Sequence, residues 1–175
     1  MTRHHLCLLA VVCCLLASTS ADARPKKPVH SGYPHIHVSV NGKPVEFYSQ
    51  IMSQAMPALL VRGHAMLPTR FLNEALGMGL DLHLEEWKIV SLSRRGQICS
   101  FKIGDNTAYR EVDGIGGTRA QPIPLSISPT VINGRLYLPV SDFLWYYQDM
   151  TTPNLPTVWN AKTRTLEITM KDFKG

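Results

Sequence analysis

Cysteine is nearly missing from the body of this chain. Three of its four cysteines, Cys7, Cys13 and Cys14, fall in the first 14 residues, and only Cys99 lies beyond them. No disulfide can therefore form within the body of the chain, and its stability has to come from a buried core rather than from covalent staples. In the setting Ile98-Cys99-Ser100-Phe101 a lone cysteine reads as a small buried hydrophobe, with a reactive thiol as the alternative. Long apolar runs are also missing after residue 17, so no transmembrane anchor is expected. Acidic residues are few, 13 against 18 Lys and Arg, giving a formal charge of +5. The basic residues are scattered and form no stripe interleaved with aromatics, so a nucleic-acid partner is not expected. Such a balance can hold a protein on anionic polymers or phospholipid head groups, but a mildly basic solvated surface is the ordinary reading. Metalloprotease, zinc-ribbon and EF-hand spacings do not occur, nor does a GxSxG or SxxK nucleophile motif.

What is present begins with an export signal. Arg3, His4 and His5 precede an apolar run from Leu6 to Ala17, and Ala21-Asp22-Ala23 fits a small-x-small cleavage site. Residues 1–23 therefore read as a signal peptide, cut after Ala23 or Ala21. Lipidation at Cys13 or Cys14 is disfavoured, because Val and Cys precede them where a small residue is needed. The expected location is periplasmic, secreted or at the cell surface. Removing Arg3 and Asp22 together leaves the charge at +5.

Residues 24–35 are rich in proline and basic residues and read as a tether, and 171–175 as a tail. Between them, two segments follow one pattern. Leu67-Pro68 and Leu138-Pro139 are 71 residues apart, as are Gly63 and Gly134. Asn41-Gly42, Arg62-Gly63 and Asn133-Gly134 each punctuate a hairpin between apolar runs. Pro68 and Pro139 stop the second strand and suit the first turn of a helix. Phe71, Leu72, Ala75 and Leu76 recur at helical spacing, and Gly77 suits the helix C-terminus. In the second segment Val140 to Tyr147 is the expected helix, with Phe143, Leu144 and Tyr147 on one face. Alternating strands follow in each segment, at 80–103 and at 157–170, the latter turning at Asn160 to Thr163. The reading is an α+β module of two repeats, 36–105 and 106–170, each of antiparallel β-hairpins with one short helix packed on the sheet.

The phrases VSVNGKPVEF, LLVRGHAMLPTRFLNEALG, FKIGDNTAYREVDG, VINGRLYLPVSDFL and VWNAKTRTLEITM occur in that order. They resemble the N-terminal, stalk-type domain of copper amine oxidases over about residues 36–170. The resemblance implies an antiparallel sheet wrapped around a helix, in a module of exported bacterial proteins that often sits beside cell-wall-acting domains. It does not carry the oxidase. The cofactor tyrosine of those enzymes lies in an Asn-Tyr-acidic-Tyr context, whereas Tyr146-Tyr147 here follows Trp145 on an expected helix. No cofactor is therefore expected; the domain need not bind copper, though copper stays open as an alternative.

Several residues remain as site candidates. His35 and His37 share a face of a strand and suit copper or zinc, but need a third ligand from His30, His64, His83 or a carboxylate. Solvated histidines beside the tether are the ordinary alternative. Met52, Met56, Met66 and Met78 suggest a soft-metal site less readily than adaptable core filling. GIGG at 114–117 lacks a following helix and reads as a turn rather than a phosphate loop. Cys99, His83 and Asp81 could be drawn as a triad only if the fold brings them together. Glu85-Glu86 reads as a solvated turn. Trp145, Tyr146 and Trp159 could line a shallow groove for a sugar, or pack between the segments. The function expected is an exported, non-catalytic module binding a cell-wall polymer or an envelope protein, with a metal-binding protein and a small hydrolase as alternatives.

Overall fold

The computed structural model describes residues 32–45, 48–49, 54–86, 88–114, 117–147 and 157–170. The expected signal peptide, most of the expected tether, Met52, the centre of the GIGG turn and the expected tail lie outside them.

Alternation of apolar and polar residues builds most of the strands. In β1 (His35–Val40) the side chains of Ile36, Val38 and Val40 go inward while His35 and His37 go out. Asn41 and Gly42, both at positive φ, turn it into the two-residue β2 (Lys43–Pro44), and beyond the proline the Val45 amide still donates to the Val38 carbonyl at 2.9 Å. A two-residue ribbon, β3 (Tyr48–Ser49) with β4 (Gln54–Ala55), follows. The hairpin β5 (Ala58–Val61) and β6 (His64–Pro68) closes at Arg62-Gly63 and is apolar on both faces. Then come α1 (Thr69–Glu74) and the strands β7 (Gly79–His83), β8 (Ile89–Arg94), β9 (Gln97–Lys102), β10 (Thr107–Gly114) and β11 (Gly117–Pro124). The chain ends with β12 (Thr130–Ile132), β13 (Arg135–Pro139), α2 (Val140–Phe143), a 3₁₀ turn at Leu144–Tyr147, β14 (Thr157–Asn160) and β15 (Thr165–Ile168).

These strands make two main sheets. One runs β12-β13-β6-β5-β1-β15-β14, with β2 beside β1, and the other is the meander β11-β10-β9-β8-β7. The expected class, α+β with hairpin units each carrying a packed helix, is not what forms. The molecule is mostly β. Helix α1 has six residues and α2 four, too short to stand as a layer and too short to hold without tertiary contacts. They act as connectors. Helix α1 touches β6 and β13 of the larger sheet and β7 of the meander, and α2 touches β6 and β11. Each helix is anchored by side chains buried between the sheets: Phe71 and Leu72 from α1, Val140 and Phe143 from α2.

Nor do the hairpins pair only within their own segment. β13 pairs antiparallel with β6, placing Leu138 opposite Leu67, and β10 pairs with β9. β1 pairs with β15 in parallel, Val38 opposite Leu166, although more than 100 residues separate them. Asn41 secures that contact. Its side-chain amide donates to the Met170 carbonyl at 2.8 Å, and its oxygen accepts from the Met170 amide at 2.9 Å.

One core joins the two sheets, with Val38, Leu67, Leu138 and Leu166 from the larger sheet and Val90, Leu92, Cys99 and Phe101 from the meander. Phe143 fills the gap between them, its ring edge-on to Phe101 at 4.5 Å. A smaller cluster of Leu59, Val61, Met66 and Tyr137 occupies another part of the larger sheet. The end of α1 follows the sequence signal: Gly77 takes the left-handed conformation, and the Met78 amide reaches back to the Leu72 carbonyl at 3.1 Å.

Candidate functional site

Where β6, β13 and the β14–β15 hairpin approach one another, an open groove of about 150 Å³ forms. The β5–β6 turn contributes Gly63, the first residue of β6 is His64, the start of α2 contributes Ser141 and Asp142, and β14 contributes Trp159. Ala65, Pro139 and Leu166 add apolar lining. Trp159 is 39% exposed, enough to offer a ring to a ligand while remaining supported by the sheet.

Asp142 is held in place. Its two oxygens accept from the Ser126 amide at 2.8 Å and the Ser126 hydroxyl at 2.6 Å. Its backbone carbonyl accepts the Trp145 indole N–H at 2.7 Å. A groove lined by a fixed aspartate, an aromatic ring and a serine has the components of sugar recognition: a stacking face and directional polar groups.

The three aromatic candidates do not share that groove. Trp145 lies edge-on to Tyr146, and the Arg110 guanidinium sits 5.5 Å and 5.3 Å from the two ring centres. Arg110 also donates to the Gln121 side chain on the neighbouring strand. Tyr146 is buried, and its hydroxyl donates to the Glu111 carbonyl at 2.6 Å. The expected helix tightens to 3₁₀ after Phe143, where residues three apart eclipse, so Tyr146 follows Phe143 inward. Trp145 is left 40% exposed over Arg110.

The triad does not assemble. Asp81 and His83 meet on the exposed face of the meander, carboxylate to ring at 2.9 Å. Cys99 pairs with Leu92 and faces the core, so its thiol lies on the opposite side of the sheet from His83. Burial raises its pKa to about 12, with Arg110 opposing, so the nucleophilic thiolate is suppressed. Burial also raises the Tyr147 phenol, whose hydroxyl donates to the Leu92 carbonyl at 2.7 Å.

His35 and His37 project from one exposed face of β1. Among the described residues, no group of three or more His, Cys, Asp or Glu gathers where it could hold a metal ion, so the pair lacks a third ligand there. Met56, Met66 and Met78 are buried packing residues. Glu85 and Glu86 lie exposed in the β7–β8 turn. The residues singled out as turns and stops, Asn41, Gly42, Gly63, Pro68, Gly77, Asn133, Gly134 and Pro139, sit at turns, strand ends and a helix end.

Sequence reading alone did not single out Ser141 and Asp142, or the groove role of His64. The available signal was the paired phrase itself, since Gly63-His64 and Pro139 to Asp142 come from its two occurrences and β6 pairs with β13.

Among the described residues no helix is long and apolar enough to cross a membrane. Neither the curated proteins nor the solved structures gave a match. A family model, that of the copper amine oxidase N-terminal domain, does match, over residues 39–168. That is the non-catalytic part of those enzymes, and their catalytic domain is not among these 175 residues. With most of its length matched, the chain belongs to the copper amine oxidase N-terminal domain family.

Proposed function

We propose that this chain is an exported, non-catalytic module of the cell envelope that binds a cell-wall glycan. The observation that carries the reading is the half-exposed Trp159 in one groove with His64, Ser141 and Asp142, whose carboxylate Ser126 holds in place. An aromatic face stacks on the C–H face of a sugar ring, and the polar rim hydrogen-bonds its hydroxyls. The leader and the family membership are consistent with a place at the envelope, and the buried Cys99 speaks against nucleophilic chemistry.

Purified peptidoglycan sacculi incubated with the protein and pelleted test the proposal. Co-pelleting that survives high salt and is lost in Trp159→Ala is the expected result. Retention by Trp159→Ala equal to the parent would refute the groove as the site. A second reading, copper or zinc on His35 and His37, draws on their shared exposed face. Calorimetric titration with Cu(II) checks it, and a signal unchanged in His37→Ala would reject it.

A further inference from the structure

The groove lies at one end of the larger sheet, and the two turns that reach that end carry cations and no Asp or Glu. β15 runs parallel to β1 and begins opposite His37, so the β14–β15 turn sits at the N-terminal end of β1. β5 runs antiparallel to β1, so the Arg62-Gly63 turn comes to the same end. Arg62 directly precedes the groove residues Gly63 and His64. Arg164 lies two residues before Leu166, and Lys162 three after Trp159. All three are exposed. Residues 54–65 and 157–166 contain no Asp or Glu. Asp142, already engaged by Ser126, is the one acidic side chain among those lining the groove.

The backbone adds a second observation. Among the described residues six non-glycine positions have positive φ, and four of them are basic: Arg62, Lys88, Arg95 and Arg164. The other two are Asn41 and Asn133, in hairpin turns of the same kind as that of Arg62. Asparagine tolerates the left-handed region because its short side chain bonds locally, whereas a long side chain there is strained. The turns beside the groove therefore hold arginine, at φ 49° and 51°, where asparagine or glycine would be the relaxed choice. Lys88 and Arg95 take the same conformation in the meander, so the strain does not single out the groove; it shows only that Arg62 and Arg164 are not the residues that relax their turns.

We infer that the groove takes an acidic saccharide, one ring against Trp159 and its carboxylate or phosphate directed to Arg62 and Arg164. This rests on the glycan reading above and narrows it to a charge class. A space of about 150 Å³ is below the range of drug-sized pockets, which suits a single ring with the rest of the chain outside.

Equilibrium binding at 50 mM and 300 mM salt tests the inference with two tetrasaccharides. One alternates N-acetylglucosamine with N-acetylmuramic acid and carries no peptide stems. The other is neutral chitotetraose. The acidic chain is expected to bind about tenfold more tightly at low salt, the combined worth of a few exposed charge pairs, and to lose that margin at high salt. The double variant Arg62→Asn, Arg164→Asn keeps residues that suit both turns and should bring the two ligands to within about threefold. Trp159→Ala should weaken both. Equal affinity for both ligands, unaltered by the arginine replacements, would overturn the inference and leave the glycan reading standing. Binding of neither would overturn both. A glycerol phosphate oligomer held by Trp159→Ala as tightly as the acidic tetrasaccharide is held by the parent would also overturn it, since charge alone would then suffice.

Discussion

The two sheets of this molecule are assembled by opposite strategies. In the meander each strand pairs with its neighbours in sequence, and the β7–β8, β8–β9 and β10–β11 links are hairpins. The larger sheet depends on distant partners: β6 meets β13, and β1 meets β15 across nearly the whole described chain. Short loops cost little to close, so the meander can form from local contacts. The parallel β1–β15 pair must wait until both ends of the chain are brought together. The site follows the second strategy, because its groove exists only where distant strands converge.

The largest expected effect removes what the sheets share. Phe143→Ala takes away the ring that contacts Phe101 across the core, and should cost about 3–5 kcal/mol in urea unfolding. Loss of a single cooperative transition in that variant would show the meander standing without the larger sheet.

Asn41→Ala acts on the larger sheet alone. It deletes both bonds to Met170 and leaves a residue with a Cβ but no local side-chain bond at φ 52°. About 2–3 kcal/mol should be lost, with amide exchange rising in β1 and β15 before the meander. Asn41→Gly, which relaxes the turn and loses only the clamp, should cost about 1 kcal/mol less.

Alkaline pH probes the meander side. The Cys99 thiol is pushed by burial from its ordinary 9.0 to about 12. Above pH 9 the unfolded chain releases this proton and the folded chain keeps it. Stability should therefore fall between pH 9 and 12, by up to about 1.4 kcal/mol per pH unit for this group. Tyr147, raised by burial as well, adds a slope of the same sign above pH 10. Cys99→Ala should flatten the first part of the curve, measured as the change of melting temperature with pH.

The smallest effect is a gain. Arg62→Asn relieves a left-handed arginine and should stabilise the protein by about 0.5–1 kcal/mol in thermal unfolding, while weakening any acidic ligand. A loss of stability instead would mean that the arginine serves the fold.

Much of the local structure is legible in residue order because its causes are local. Asn41-Gly42 and Asn133-Gly134 turn where they do because asparagine and glycine tolerate positive φ, and Gly77 ends its helix for the same reason. The 157–170 hairpin follows from its alternation, and Asn160 fixes its turn by accepting from the amides of Lys162 and Thr163. Tyr146 is harder to read, since Trp-Tyr-Tyr places its rings differently in an α-helix and a 3₁₀ turn; here its hydroxyl bonds the Glu111 carbonyl and its ring meets that of Tyr147. The groove was only half visible. Trp159 stood out as an exposed aromatic, whereas Ser141 and Asp142 carry no motif and gained meaning from Ser126 and from the neighbouring strand.

By itself, then, the sequence determined the hairpins, the helix stops, the buried lone cysteine and the basic balance, since each depends on side-chain period, turn chemistry or composition within a few residues. Only the tertiary structure decided that the molecule is mostly β, that β1 lies parallel to β15, that Cys99 and His83 face opposite sides of a sheet, and that a groove opens beside Trp159. Those outcomes turn on which apolar faces meet and on which distant backbone edges pair, and no local pattern specifies either.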